Sequence, residues 1–77
     1  MDPTYSAHAK LRMAERGITK EMVEAVLRRH IGPPTPGSRP DTVELQGFAP
    51  GGRHIKVVVD SVDRERVVTI HDIGGPS

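Results

Sequence analysis

The sequence predicts an α+β domain in which two N-terminal helices pack on one face of a small antiparallel sheet of three to four strands. Three observations carry this reading. Residues 6–31 hold two capped stretches with apolar side chains at helical spacing, residues 32–41 are dense in Pro and Gly, and residues 42–73 switch to period two. With 77 residues the chain is expected to form a single domain over 1–77 with a thin core, which a partner chain would complete by lending apolar surface.

Ser6 is placed to cap the first helix. From Ala7 the apolar positions Ala7, Leu11, Ala14 and Ile18 follow three-and-four spacing, which predicts a buried stripe on a helix running to about Arg16. Gly17 suits a left-handed C-terminal cap. Thr19 then caps a second helix in which Met22, Val23, Val26 and Leu27 share a face that extends to His30, so the pair forms a helical hairpin or elbow. The stretch GPPTPGSRP cannot sustain regular structure and reads as a connector. Beyond it TVELQGF, RHIKVVVD and RVVTIHDI, separated by PGG and SVDRE, predict three meandering antiparallel strands. Val43 and Leu45 share a face in the first, and Ile55, Val57 and Val59 in the second. In the third, alternation puts Val68 and Ile70 on one face and Val67, Thr69 and His71 on the other. The ending GGPS reads as a frayed tail or a turn into a short extra edge strand.

Composition narrows the function classes. Tyr5 and Phe48 are the sole aromatics, so stability is expected from aliphatic helix-on-sheet packing. The absence of cysteine excludes a disulfide scaffold, a zinc ribbon and thiol catalysis, and fits a reducing compartment. MDPTYSAHAK lacks the basic start and apolar run of a secretory signal, and no stretch is apolar enough to span a membrane, so a cytoplasmic protein without a membrane partner is expected. A net charge of +1 does not mark a nucleic-acid binder, so any RNA contact must rest on the local arrangement of Arg, Lys and His.

That arrangement is suggestive on the first helix. At about 100° per residue, His8, Arg12 and Glu15 cluster with Arg16 beside them, adjacent to the apolar stripe and so at the rim of the core. His8 falls in the first turn, where unpaired amides and the positive end of the helix dipole disfavour an imidazolium and attract anions, so a neutral His8 suits a general base. Arg12 and Arg16 can hold a phosphate through forked hydrogen bonds. His71, with Thr69 two residues earlier on the same strand face, is the second catalytic candidate, because two His residues suffice to take one proton and deliver another. Arg53, His54 and Lys56 on the middle strand can line a phosphate-binding face. Each of these residues also has a structural reading: Arg12 pairing with Glu15 or Glu44, Arg16 serving the helix C-terminus, His8 capping a pocket, His71 ending a strand, and the middle-strand cations simply solvated. The four His residues occur singly, with neither HxxxH nor HxH spacing, so neither a metal site nor a cofactor is expected. GFAPGGRH lacks the GK[ST] ending of a phosphate loop and reads as a hairpin turn.

The stretch SAHAKLRMAERGITKEMVEAVL resembles the helical half of a bacterial domain family of unknown function whose members begin HA-x-x-R-M-x-x-R-G-I and end in strands of the type IKVVVD and VVTIHD. The resemblance spans nearly the whole chain, and His8, Ala9, Arg12, Met13, Arg16, Gly17 and Ile18 carry its motif. Such domains are similar to RelE-like and BrnT-like toxins, within the barnase, EndoU, colicin and RelE group of metal-independent ribonucleases. The resemblance implies two N-terminal helices on an antiparallel sheet, and functional positions at His8, Arg12, Arg16 and either Thr69 or His71.

The resulting expectation is a small metal-independent ribonuclease-like toxin acting on RNA, with His8 and His71 as acid and base and Arg12 and Arg16 on phosphate, held inactive by a protein antitoxin. The alternative is a non-enzymatic module of the same fold that binds a protein or nucleic acid, with His8, Arg12 and Glu15 as a structural network. A homodimer would use a free sheet edge.

Overall fold

The computed structural model describes residues 3–73. The C-terminal GGPS and the first two residues lie outside the described residues. The elements run β1 (Thr4–Tyr5), α1 (Ala7–Arg16), α2 (Lys20–Arg28), β2 (Thr35–Pro36), β3 (Thr42–Phe48), β4 (His54–Asp60) and β5 (Arg66–Asp72). They form an α+β domain with one sheet of order β1-β5-β4-β3-β2. The three long strands are antiparallel meanders, as their period-two patterns predict.

The sheet has five strands rather than three to four, and it is mixed. Thr4 and Tyr5 pair in parallel with Arg66 and Val67, and Thr35 and Pro36 pair antiparallel with Glu44 and Val43. Both additions are two residues long, too short to carry a period, and β2 lies within the Pro/Gly stretch that reads as pure loop. Pro36 is tolerated there because an edge strand has a side on which its missing N–H is not needed.

Local signals at the helix ends act as expected. The Ser6 side chain accepts a hydrogen bond from Ala9 N, and Gly17 adopts φ +66°, its N–H closing on the Met13 carbonyl. Thr19 caps α2 by accepting from Met22 N at 3.2 Å. The buried stripe of α1 differs from the expected one. Ala9 and Met13 are buried together with Ile18, whereas Leu11 is 55% exposed and Ala14 faces solvent. Two alternative three-and-four stripes exist on this helix, and the one chosen is the one that meets Ile55, Val57, Val59, Val67 and Ile70 on the sheet. On α2, Val23 and Val26 are fully buried with Met22 and Leu27 packed beside them. Each helix has its own strands: α1 packs on β5, and α2 on β3 and β4. The connection is therefore an elbow at Gly17 rather than a hairpin.

In β5 the alternation breaks. Val59 pairs with Val67 while Val58 pairs with Thr69, which leaves Val68 as an extra residue in a bulge. Val67 consequently joins Ile70 in the core, 0% and 1% exposed, and Val68 does not. Thr69 and His71 keep the opposite face. Among the described residues no helix is long and apolar enough to cross a membrane.

Gly47 fixes the approach of α2 to β3. A Cβ there would lie 3.2 Å from the Arg29 carbonyl oxygen and 3.3 Å from His30 Cα, and Ile31 N donates to the neighbouring Gln46 carbonyl at 2.7 Å. Both obstacles are backbone, so they cannot swing aside. Gly47→Ala should lower the unfolding free energy by about 1–3 kcal/mol, read as a reduced chemical-denaturation midpoint with unchanged slope.

Candidate functional site at the start of helix α1 and the end of strand β5

The sheet face away from the core is polar. Alternation places Glu44, Gln46 and Phe48 of β3 on it, with His54, Lys56 and Val58 of β4 and Thr69 and His71 of β5. Register sets them in rows: Phe48 beside His54, Gln46 beside Lys56 beside His71, and Glu44 beside Val58 beside Thr69. Without the bulge at Val68, this face of β5 would be out of step with Lys56 and Glu44.

Helix α1 begins at the edge of this face, and Ser6 determines where. Its backbone N–H donates to the Val67 carbonyl at 3.0 Å and its hydroxyl donates to the Val68 carbonyl at 2.6 Å, while the same oxygen caps the helix. The bulge thus leaves a carbonyl turned out of the ladder and Ser6 occupies it. This attachment brings His8 and Arg12 within electrostatic range of His71, although 63 and 59 positions separate them along the chain.

The charges around His71 are of both signs. Partial burial is the largest influence and pushes its pKa below the ordinary value of 6.5. The positive charges of Lys56, Arg12 and His8 act in the same direction, and Glu44 opposes them. Lys56 Nζ is 3.5 Å from Glu44 Oε1, and Arg12 Nη1 is 3.3 Å from Glu15 Oε1. Two buried polar atoms in this region, Arg12 Nε and Thr69 Oγ1, have no hydrogen-bond partner among the described residues. Such orphans are uncommon and cost stability. A neutral imidazole flanked by cations can accept a proton, and the cations can hold an anion beside it.

The sequence-derived candidates divide into three groups. Thr69, His71 and Lys56 adjoin on the polar face, and the charges of His8 and Arg12 reach His71. Arg16, exposed in the last turn of α1, is one turn or roughly 6 Å further along the helix, and its charge is not among those that act on His71. Arg53 is parted from its neighbours: its guanidinium donates to the Gly17 carbonyl at 3.1 Å and to Asp72 Oδ2 at 2.6 Å, so it ties the α1 cap to the end of β5 on the helix side. His54 stays on the polar face two residues from Lys56 along β4, and its side chain engages Phe48 and Gln46. Its ring stacks on Phe48 with centroids 4.7 Å apart, and its Nε2–H donates to Gln46 Oε1 at 3.1 Å. Glu44, Gln46 and Phe48 were not candidates, yet the period-two pattern of TVELQGF places all three on the face opposite Val43 and Leu45. Among the described residues no three His, Asp or Glu side chains gather closely enough to hold a metal ion.

Ser6→Ala removes a helix cap and a strand attachment together, and should lower stability by about 2 kcal/mol, measured by thermal or urea unfolding. A titration test addresses His71. Because its folded pKa lies below that of the unfolded chain, the unfolded state binds more protons at mildly acidic pH, and stability falls as pH drops through and below the ordinary value. Acidification from about pH 7 to about pH 5 should therefore lower the Tm of the wild type more than that of His71→Gln.

Comparison with curated proteins and with solved structures finds no match. Across residues 5–72, which take in both helices and all three long strands, the chain matches the model of a domain of unknown function, DUF4258, and it belongs to that family.

Proposed function

We propose that this domain is a small ribonuclease-like protein that cleaves the RNA backbone by metal-independent acid–base chemistry at the His8, Arg12 and His71 cluster. The observation that supports the reading is that Lys56 stands beside His71 in the sheet and that the charges of His8 and Arg12, from the other end of the chain, reach His71 at the edge of an open polar face. The likeness to RelE-like and BrnT-like toxins expected of domains with the HA-x-x-R-M-x-x-R-G-I helix supports it, and so does the lowered pKa of His71.

In this reading neutral His71 takes the 2′-hydroxyl proton. The 2′-oxygen attacks phosphorus, the bond to the 5′-oxygen breaks, and His8 gives a proton to that leaving oxygen, yielding a 2′,3′-cyclic phosphate and a 5′-hydroxyl. Arg12 and Lys56 stabilise the charge that develops on the phosphoryl oxygens. Arg16 extends the anion contact along α1, and Thr69 positions the substrate beside His71. Such an activity acts as a toxin in the cell and requires a protein antitoxin that covers the α1 rim.

The test is incubation of the folded protein, with EDTA present, against mixed single-stranded and structured RNA. The wild type should cleave, and His8→Ala and His71→Ala should each lose about 10²- to 10⁴-fold in rate, with Arg12→Ala also strongly impaired. The acidic limb of the pH–rate profile should fall below the ordinary histidine value and disappear in His71→Ala. A folded wild type that leaves RNA intact would instead support a non-enzymatic interaction module, in which the Arg12–Glu15 pair is structural.

A further inference from the structure

The polar face continues away from His71 toward β3 and ends there in an exposed aromatic side chain. Phe48 is 58% exposed on a chain with one other Phe, Tyr or Trp residue, and it stacks on His54 at an interplanar angle of 28° rather than entering the core. Beyond it a shallow groove is lined by Phe48, Ala49 and Pro50 together with Arg28 and Arg29 from the end of α2. Both arginines are exposed, and neither forms an ion pair among the described residues.

We propose that these features form a binding track for single-stranded RNA, running from the His71 cluster over Lys56 to a base-stacking platform made by Phe48 and His54, and on to Arg28 and Arg29 as a second phosphate contact. This rests on the RNA-cleaving reading and supplies its substrate register. The spacing suits a nucleotide chain. His54 and His71 lie on adjacent strands one row apart, which is roughly 8 Å from strand spacing and rise, about the length of one extended nucleotide. A base next to the reacting phosphate therefore falls over the Phe48–His54 pair. Stacking on an aromatic face binds any base, and cations flanking it track the backbone. The charge on this face also argues for a nucleic acid: Lys56 stands beside His71, and the carboxylate near it, Glu44, is paired with Lys56 at 3.5 Å. A track of this kind explains how a chain of net charge +1 can bind a polyanion, since the cations are concentrated along one path.

The experiment uses a fluorescein-labelled six-nucleotide RNA with every 2′-oxygen methylated, so that it cannot be cleaved, and an abasic strand of the same length. Phe48→Ala should weaken RNA binding about tenfold and leave the abasic strand's affinity within twofold. Arg28→Ala/Arg29→Ala should weaken both probes and flatten the slope of log affinity against log salt by about 0.7 for each phosphate no longer neutralised. Arg28 also lines the groove on the helix side with Pro3, Glu24, Leu27 and Arg64, so two single variants separate the grooves: Arg29→Ala should weaken both probes by itself, and Arg64→Ala should leave both unaffected. Binding that is indifferent to Phe48 and to the two arginines overturns the track, as does an equal weakening by Arg64→Ala. No binding by the wild type also overturns it. The two readings fail separately: binding with these dependences but no cleavage of unmodified RNA removes the catalytic assignment alone, and cleavage that is unaltered in KM by Phe48→Ala removes the track alone.

Discussion

The site depends on one side chain. Ser6 terminates β1, caps α1 and takes the carbonyl that the bulge in β5 exposes. A helix end must satisfy amides that have no intrahelical partner, and a bulge must satisfy a carbonyl displaced from its ladder. One hydroxyl meets both demands by accepting from Ala9 and donating to Val68. The rotation of α1 about its axis and its position along β5 are thereby coupled, which is why Ala9 and Met13 rather than Leu11 enter the core and why His8 and Arg12 come to the edge nearest His71.

The two faces of the sheet divide the work. On one, Ile55, Val57, Val59, Val67 and Ile70 bury against both helices, and Arg53 anchors the elbow at Gly17 to Asp72. On the other, cations and carboxylates are interleaved and partly paired, with Val58 as an apolar floor between Glu44 and Thr69. Glu44 and Glu15 restrain Lys56 and Arg12, so the cluster holds several positive groups close together without a large local field. Net charge is silent about such an arrangement because the balance is struck locally.

Those parts of the fold governed by neighbours in sequence were legible. The caps at Ser6, Gly17 and Thr19 and the three long strands depend on residues within one turn or one pleat, and the α+β order follows from them. What depends on distant pairing was not legible. RVVTIHD alternates smoothly on paper, and nothing in it marks Val68 as the residue that drops out of register. Leu11 and Met13 offer rival stripes of equal local merit, and the sheet decides between them. The two-residue strands β1 and β2 exist because a long strand beside them has free hydrogen-bonding groups. For the site, helix spacing alone put His8 and Arg12 at a rim, whereas their meeting with His71 follows from the parallel pairing of β1 with β5. Arg53 read as a companion of Lys56, but its position just before β4 lets it turn to the helix side.

The parallel pairing of Thr4 with Arg66 carries a consequence for the order of assembly. During synthesis α1 emerges from the ribosome long before residues 66–72, and until they arrive its cap has no strand to hold and Ala9 and Met13 have no β5 surface to cover. The β3–β4 hairpin and α2 can settle first because their contacts lie closer in sequence. Docking of the first helix is then the closing step, and His8 comes within electrostatic range of His71 only once the chain has been made through β5. A nascent or truncated chain lacking β5 therefore lacks the strand that carries Thr69 and His71 and the carbonyls that hold Ser6, and the candidate site is completed only when the sheet is.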